Sequence, residues 1–194
     1  IKQNEIKKML AYSSVAQLSY IIIAIMLLTP DGLTASLIHV FNHSIIKTGL
    51  FLVVTILFIN NKNVSIDDFS GLGEKYPLLM SAFVILLLGL IGLPLTSGFI
   101  SKWYLISAIL QSDYWYISGV ILITSFMTFF YAWLLIEKIY FSARLNHDAS
   151  VATNYQLLCV YFLAALTIYL GVDTSLTFGI SEQISNNFYS TINQ

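Results

Sequence analysis

The chain has 194 residues, of which 57% are hydrophobic and 10% charged, against roughly 25% charged in soluble domains. With a mean hydropathy of +0.79 this excludes a soluble enzyme. Nine Lys and Arg against ten Asp and Glu leave a formal net charge of -1, so there is no basic footprint for nucleic acid. What remains is a polytopic helical membrane protein. The single cysteine, Cys159, has no partner for an internal disulfide or a paired-thiol metal site and reads as membrane packing. The chain begins IKQNEIKK and runs straight into an apolar stretch without the charged, apolar and cleavage regions of a signal peptide; the expectation is a fragment of a longer chain.

About 20 predominantly apolar residues cross the hydrocarbon core. On that scale the expected spans are 9–28, 33–59, 77–93, 95–111, 115–141 and 155–172. TPDG at 29–32 is a turn signal, 60–77 is a polar loop rich in Asn, Asp and Gly, and 111–113 and 142–154 supply the other connections. The runs are continuous rather than alternating, so helices and not barrel strands must satisfy the backbone. The expected fold is an all-α transmembrane bundle of about six membrane segments, with residues 1–172 as the membrane domain and 173–194 as a polar or interfacial tail. In that tail Ile180, Ile184 and Phe188 stand four apart and could lie along the interface; a loosely ordered end is the alternative.

The stretch 77–111 is irregular. As one helix it would be about 52 Å long, too long for one crossing and too short for two with a connection. GLIGLPLTSGF at 89–99 supplies the break: Gly89, Gly92, Pro94 and Gly98 crowd together, and Pro94 removes a helical donor. Either the segment is a tight hairpin of two short helices, or it is a discontinuous helix whose free ends meet charge. If every span crosses, Lys2, Lys7, Lys8, Lys62 and Lys75 share one side while Arg144 and Lys138 share the other, and the lysine-rich side faces the cytoplasm.

His39, His43 and Lys47 recur every four residues in the second span and so fall within an arc of about 80° on one helix face. Lys47 lies about 20 Å from either end of its run, too deep to reach water by stretching. A charge so placed usually faces the bundle interior on an ion or proton pathway. Two histidines one turn apart can pass protons near neutral pH, and a lysine away from water can gain and lose a proton as its surroundings change. A metal site at His39 and His43 is disfavoured, because the span has no Cys, Asp or Glu and the Lys47 cation would oppose the metal. Lys102, four residues after Gly98, is a second candidate protonation site, with partial snorkelling as its alternative in a hairpin. Lys7 and Lys8 sit at the mouth of the first span as interfacial anchors or functional groups. Glu137 and Lys138 read as interfacial, and Asp67, Asp68, Glu74 and Lys75 as a solvated loop.

IKKMLAYSSVAQLSY, HVFNHSIIKTGLF and GLPLTSGFISKWYL, in that order, resemble the second half of the antiporter-like subunits shared by respiratory complex I and Mrp-type cation/proton antiporters. The resemblance covers residues 1–172. SKWYL followed by YAW, Glu137 and YF is most similar to the D-type component of the Mrp antiporters. The resemblance implies a proton-conducting transporter built from two inverted repeats, of which this chain holds the second. It assigns Lys47 with His39 and His43 to the polar helix of that repeat, Lys102 to its discontinuous helix, and Lys7 to the link between half-channels. Ser19 stands where glycine is usual and Lys8 where arginine is common. The first repeat, with its membrane glutamate and lysine, is absent, so this chain alone should not complete a transport cycle.

The functional expectation is a subunit of a bacterial inner membrane that moves protons along Lys7, His39, His43, Lys47 and Lys102. It would work with other membrane subunits and the bilayer, coupled to Na+ or K+ exchange in an Mrp assembly or driven by electron transfer elsewhere in complex I or a related hydrogenase. The sequence shows no redox motif and no cofactor site. A structural subunit whose buried charges merely pair is the contrasting class, and a quinone- or lipid-binding scaffold the third.

Overall fold

The computed structural model describes residues 3–59, 64–143 and 153–192. The helices are α1 (Ile6–Met26), α2 (Pro30–Leu57), a single-turn α3 (Leu72–Lys75), α4 (Pro77–Ile91), α5 (Ser97–Leu110), α6 (Ile117–Phe141), α7 (Asn154–Val172) and α8 (Ser175–Ile192). The fold is an all-α membrane bundle. Helices α1, α2, α6 and α7 are each long and apolar enough to cross a bilayer, and α4 and α5 are shorter apolar helices. Their ends follow local chemistry. TPDG starts α2 rather than only turning the chain: Thr29 is the N-cap and accepts from Gly32 N–H at 3.1 Å, Pro30 opens the helix, and Asp31 sits in the positive first turn.

The packing of α4 and α5 on α2 decides between the two readings of 77–111. Leu86 lies against Gly49 and Gly89 against Ile46, while Ser97 bonds Asn42 and Ser101 bonds His39. Moving from α4 into α5 therefore moves steadily down α2, from residue 49 to residue 39, without reversing. The segment is one discontinuous crossing. Gly92 ends α4 in the left-handed region, φ 86°, which glycine adopts without steric cost, and the non-helical link runs to Thr96. Gly98 packs so closely on the Gly89 carbonyl that no side chain fits between them.

A single crossing here reverses the side of every later element. Lys138, expected opposite Lys75, instead shares its side: Lys138 Nζ pairs with Asp67 Oδ1 at 2.7 Å, and its carbonyl accepts from Gly71 N–H at 3.1 Å. Lys2, Lys62 and Arg144, used in the same orientation argument, lie outside the described residues, as does most of the connection 142–154. The segment 64–76 is built, not merely solvated. Ile6 N–H donates to the Val64 carbonyl at 2.9 Å, Asp68 Oδ2 accepts from Ser65 N–H at 2.7 Å, and the fully buried Phe69 stacks on Phe83 and meets Phe58 at a tilt.

Residues 175–192 form α8, which runs antiparallel along the first half of α2. Thr177, Ser181 and Ser185 are its buried positions, and Ser185 Oγ donates to the Pro30 carbonyl at 2.7 Å. The packing of Gly171 against Leu95 and Thr96 sets the end of α7 at the level of the α4–α5 break. Two apolar clusters hold the bundle. One, around Leu10, Leu50, Phe83, Leu86 and Leu135, fills the end carrying the start of α1. The other, around Tyr20, Ala35, Leu105 and Ile121, fills the opposite end. Between them lies a polar layer.

Gly98→Ala should drive a methyl into the Gly89 backbone and destabilise the fold by ~1–3 kcal/mol, read as a lower melting temperature in detergent. Gly119→Ala, whose new carbon meets nothing within 4 Å, should leave the melt unchanged.

Candidate functional site

The polar layer forms where α2 passes the break. His39 is 2% exposed, Asn42 fully buried, and Lys47 7% exposed, whereas His43 is half-buried. Asn42 Nδ2 donates to the Ser97 carbonyl at 2.9 Å, an additional bond that ties the first turn of α5 to α2. Ser101 Oγ donates to the Gly98 carbonyl at 3.1 Å, so toward His39 Nδ1, 3.0 Å away, it acts as acceptor. His39 Nε2 is buried and has no hydrogen-bond partner.

The two lysines are held by neutral oxygens. Lys102 Nζ donates to the carbonyls of Leu90 at 3.2 Å and Ile91 at 2.7 Å, the last turn of α4, where unpaired carbonyls and the helix dipole favour a cation. Lys47 Nζ donates to the Leu10 carbonyl at 2.7 Å and to Ser13 Oγ on α1. Among the described residues the ion pairs are Lys8 with Glu5 and Lys138 with Asp67; neither buried lysine meets a carboxylate.

His43 joins the two ends of the layer. Its ring lies parallel to that of His39, 5° apart in plane with centroids 6.1 Å apart. On one side it borders a slot of about 10 Å³ lined by Gln17, His39, Ser101 and Lys102, about the space of one water. On the other it borders an open polar recess of about 540 Å³ with Lys47, Ser14, Ser44 and Thr48. The structure thus brings His39, His43, Lys47 and Lys102 to one interior. Lys7 is not in it: half-buried, it stands one helical turn before Leu10, near the start of α1. Sequence reasoning passed over Gln17, Asn42 and Ser101 because it searched for charge. The buried Gln17 Nε2 and Asn42 Oδ1 have no hydrogen-bond partner, and polar residues inside apolar runs were the signal available. Among the described residues, no three His, Cys, Asp or Glu converge to hold a metal ion.

Residues 1–128 match the family described as NADH:quinone oxidoreductase/Mrp antiporter, TM. The chain belongs to that family. It is 39% identical over 140 residues to NADH-quinone oxidoreductase subunit N of Desulforudis audaxviator, covering 72% of this chain and 28% of the relative. Among solved structures it is similar to a chain of the Mrp complex from Dietzia sp., with TM-score 0.88, 21% identity, and 97% of this chain on 43% of that one. A chain of respiratory complex I from Thermus thermophilus gives TM-score 0.77 at 25% identity, with 92% of this chain on 40% of that one. The chain therefore spans about a third of the length of its curated relatives, from 28% to 41%. The sequence resemblance singled out the D-type component of the Mrp antiporters; the curated relatives are instead named subunit N, and the Mrp likeness, at 21% identity, is one of fold.

Asn42→Leu removes the side-chain bond that ties the Ser97 carbonyl to α2, and the loss of that buried hydrogen bond should cost ~0.5–1.5 kcal/mol. A thermal melt of the purified protein checks it, with Val40→Leu on the exposed face of α2 expected to be neutral.

Proposed function

We propose that this chain is the proton-conducting part of an antiporter-like membrane subunit, working in a redox-driven quinone oxidoreductase of a bacterial inner membrane. The observation that carries the reading is the pair of deeply buried lysines bonded to neutral oxygens alone. A scaffold lysine is cheapest when a carboxylate neutralises it; a lysine held by carbonyls and a hydroxyl can release its proton without stranding a buried anion. The relay runs from Lys47 through His43 to His39 and then to Lys102, with Lys7 linking it to a neighbouring half-channel. At each step a protonated nitrogen gives a proton to the next lone pair and is refilled from behind, and the slot beside Gln17 suits a bridging water.

Identity of 39% to a subunit N favours quinone-linked assembly with other membrane subunits. In that setting electron transfer happens in other subunits, and this chain answers it by moving charge. The second reading is a monovalent cation/proton antiporter, favoured by the motif SKWYL and distinguished by proton flux that requires Na+ or K+ instead of a quinone reductant.

In membrane vesicles bearing the assembled complex, Lys47→Ala and Lys102→Arg, the latter keeping a cation over the α4 carbonyls that cannot release its proton, should each lower proton translocation at least about tenfold, an added barrier of ~1.4 kcal/mol or more, while subunit assembly is retained. Quenching of a pH-sensitive dye measures the flux, and full activity in both variants would sink the relay.

A further inference from the structure

Helices α7 and α8 are interrupted beside the break between α4 and α5. Val160 and Ala164 pack in the first apolar cluster, Thr167 lies against Gly89, and Gly171 lies against Thr96. Helix α7 therefore descends from that cluster to the level of the break. Helix α8 continues in the same direction: Phe178 stacks on Tyr104 of α5 with ring centroids 5.0 Å apart, and Ser185 reaches the Pro30 carbonyl at the start of α2. The two helices form one interrupted run, and its link is Asp173 and Thr174.

Two rulers fix the depth of Asp173. Ser185, level with Pro30, follows it by twelve residues, about 18 Å along a helix. From the other direction, Gly171 packs on Thr96, and Ser97 bonds Asn42, itself twelve residues after Pro30. Both place Asp173 at mid-height of α2, near the centre of a hydrocarbon core about 30 Å thick. Its carboxylate accepts from Ser175 N–H at 3.0 Å and from the Tyr169 hydroxyl at 3.2 Å, which suits a cap at the positive end of α8. Neither ion pair among the described residues includes it. It is only half-buried, and the nearby Tyr169, Val172 and Leu176 are exposed. An acid at this depth is costly against lipid, and such residues pair or face a protein interior.

An apolar recess of about 340 Å³ opens beside the acid between α2 and α8, and its walls include Leu37, Val40, Phe41, Leu176, Ile180 and Ile184. The last three stand three, seven and eleven positions after Asp173, so acid and recess share one face of the run. We propose that Asp173 and this recess are a docking face for a transmembrane helix of another subunit, which brings a lysine or arginine to mid-depth opposite Asp173 and seats apolar side chains in the recess. The inference rests on the reading above that this chain works among other membrane subunits. Charge complementarity selects the occupant. A lipid tail fills the recess but leaves the carboxylate uncompensated, and a headgroup charge stays at the surface about 15 Å away. A second copy brings no exposed cation, because the described lysines at that depth, Lys47 and Lys102, are buried inside the bundle.

The test uses the assembled complex, purified through a tag on this chain. Photoreactive benzoylphenylalanine in place of Ile180, irradiated in the membrane, should join the chain to a membrane-spanning segment of another subunit. Peptide mass spectrometry should find a lysine or arginine in that segment within about two helical turns of the adduct, the separation of Ile180 from Asp173. Asp173→Asn keeps a cap on α8 but removes the charge, and it should lower recovery of the partner at least about tenfold. Asp173→Lys should lose the partner, and an aspartate placed at the partner's cation should restore it. Adducts only with phospholipid, with a second copy or with another segment of the same polypeptide would overturn the proposal, as would unchanged recovery in Asp173→Asn. A wild-type chain that purifies without any other membrane subunit would instead remove the assembly reading beneath it. Lys47→Ala should keep the partner in place, so if Asp173→Asn also keeps it while Lys47→Ala carries no flux, the relay stands and the docking face falls.

Discussion

The arrangement of the bundle hinges on one side chain reaching backwards. Lys102 belongs to α5, yet its ammonium is bonded to the last carbonyls of α4, so the charge that a membrane should expel is also what ties the two halves of the broken crossing together. Breaking a helix inside a membrane exposes carbonyls at one new end and amides at the other. Lys102 covers the first of these ends, and Asn42 from α2 steadies the link by donating to Ser97. The same interaction therefore supports the fold and gives the lysine a reason to be there. Its ammonium is held by carbonyl dipoles and not by the charge of a carboxylate.

The polar layer is stable because apolar packing brackets it. The cluster around Leu50, Phe83 and Leu86 lies on one side, and that around Ala35, Leu105 and Ile121 on the other. Helix α2 passes through both clusters and the layer, which is why a single helix can present His39, Asn42 and Lys47 inward at mid-depth while its Val40 and Phe41 remain on the outer face. Close approach of Gly89 and Gly98 lets the halves of the break overlap tightly enough for Lys102 to span them.

Much of this was legible in the sequence. Runs of apolar residues set helix length directly, so the expected spans 33–59 and 115–141 appear as Pro30–Leu57 and Ile117–Phe141. His39, His43 and Lys47 could be placed on one face because helical spacing alone decides that. Direction could not be read, because a broken segment has the same composition whether it turns back or goes on; only its contacts down α2 distinguish the two, and the side of Lys138 depends on that choice. Gln17, Asn42 and Ser101 escaped notice because an uncharged polar residue in an apolar run is cheap enough to need no explanation until its partner is seen. The four-residue spacing of Thr177, Ser181 and Ser185 was present in the tail, but a stripe of small polar residues declares a packing face only when another helix is beside it.

The segment that crosses the end of the bundle has a mechanical consequence. It is sewn to the start of α1 by the Val64 carbonyl, to the end of α6 by Lys138, and to the interior by Phe69. The ion pair is partly exposed and worth at most ~1 kcal/mol, so the aromatic plug, not the charge, sets the stiffness. Pinned at these three points, the strap joins the start of α1 to the end of α6 through the buried Phe69, so the spacing of the two helix ends is set by an aromatic contact in the interior and not at the surface.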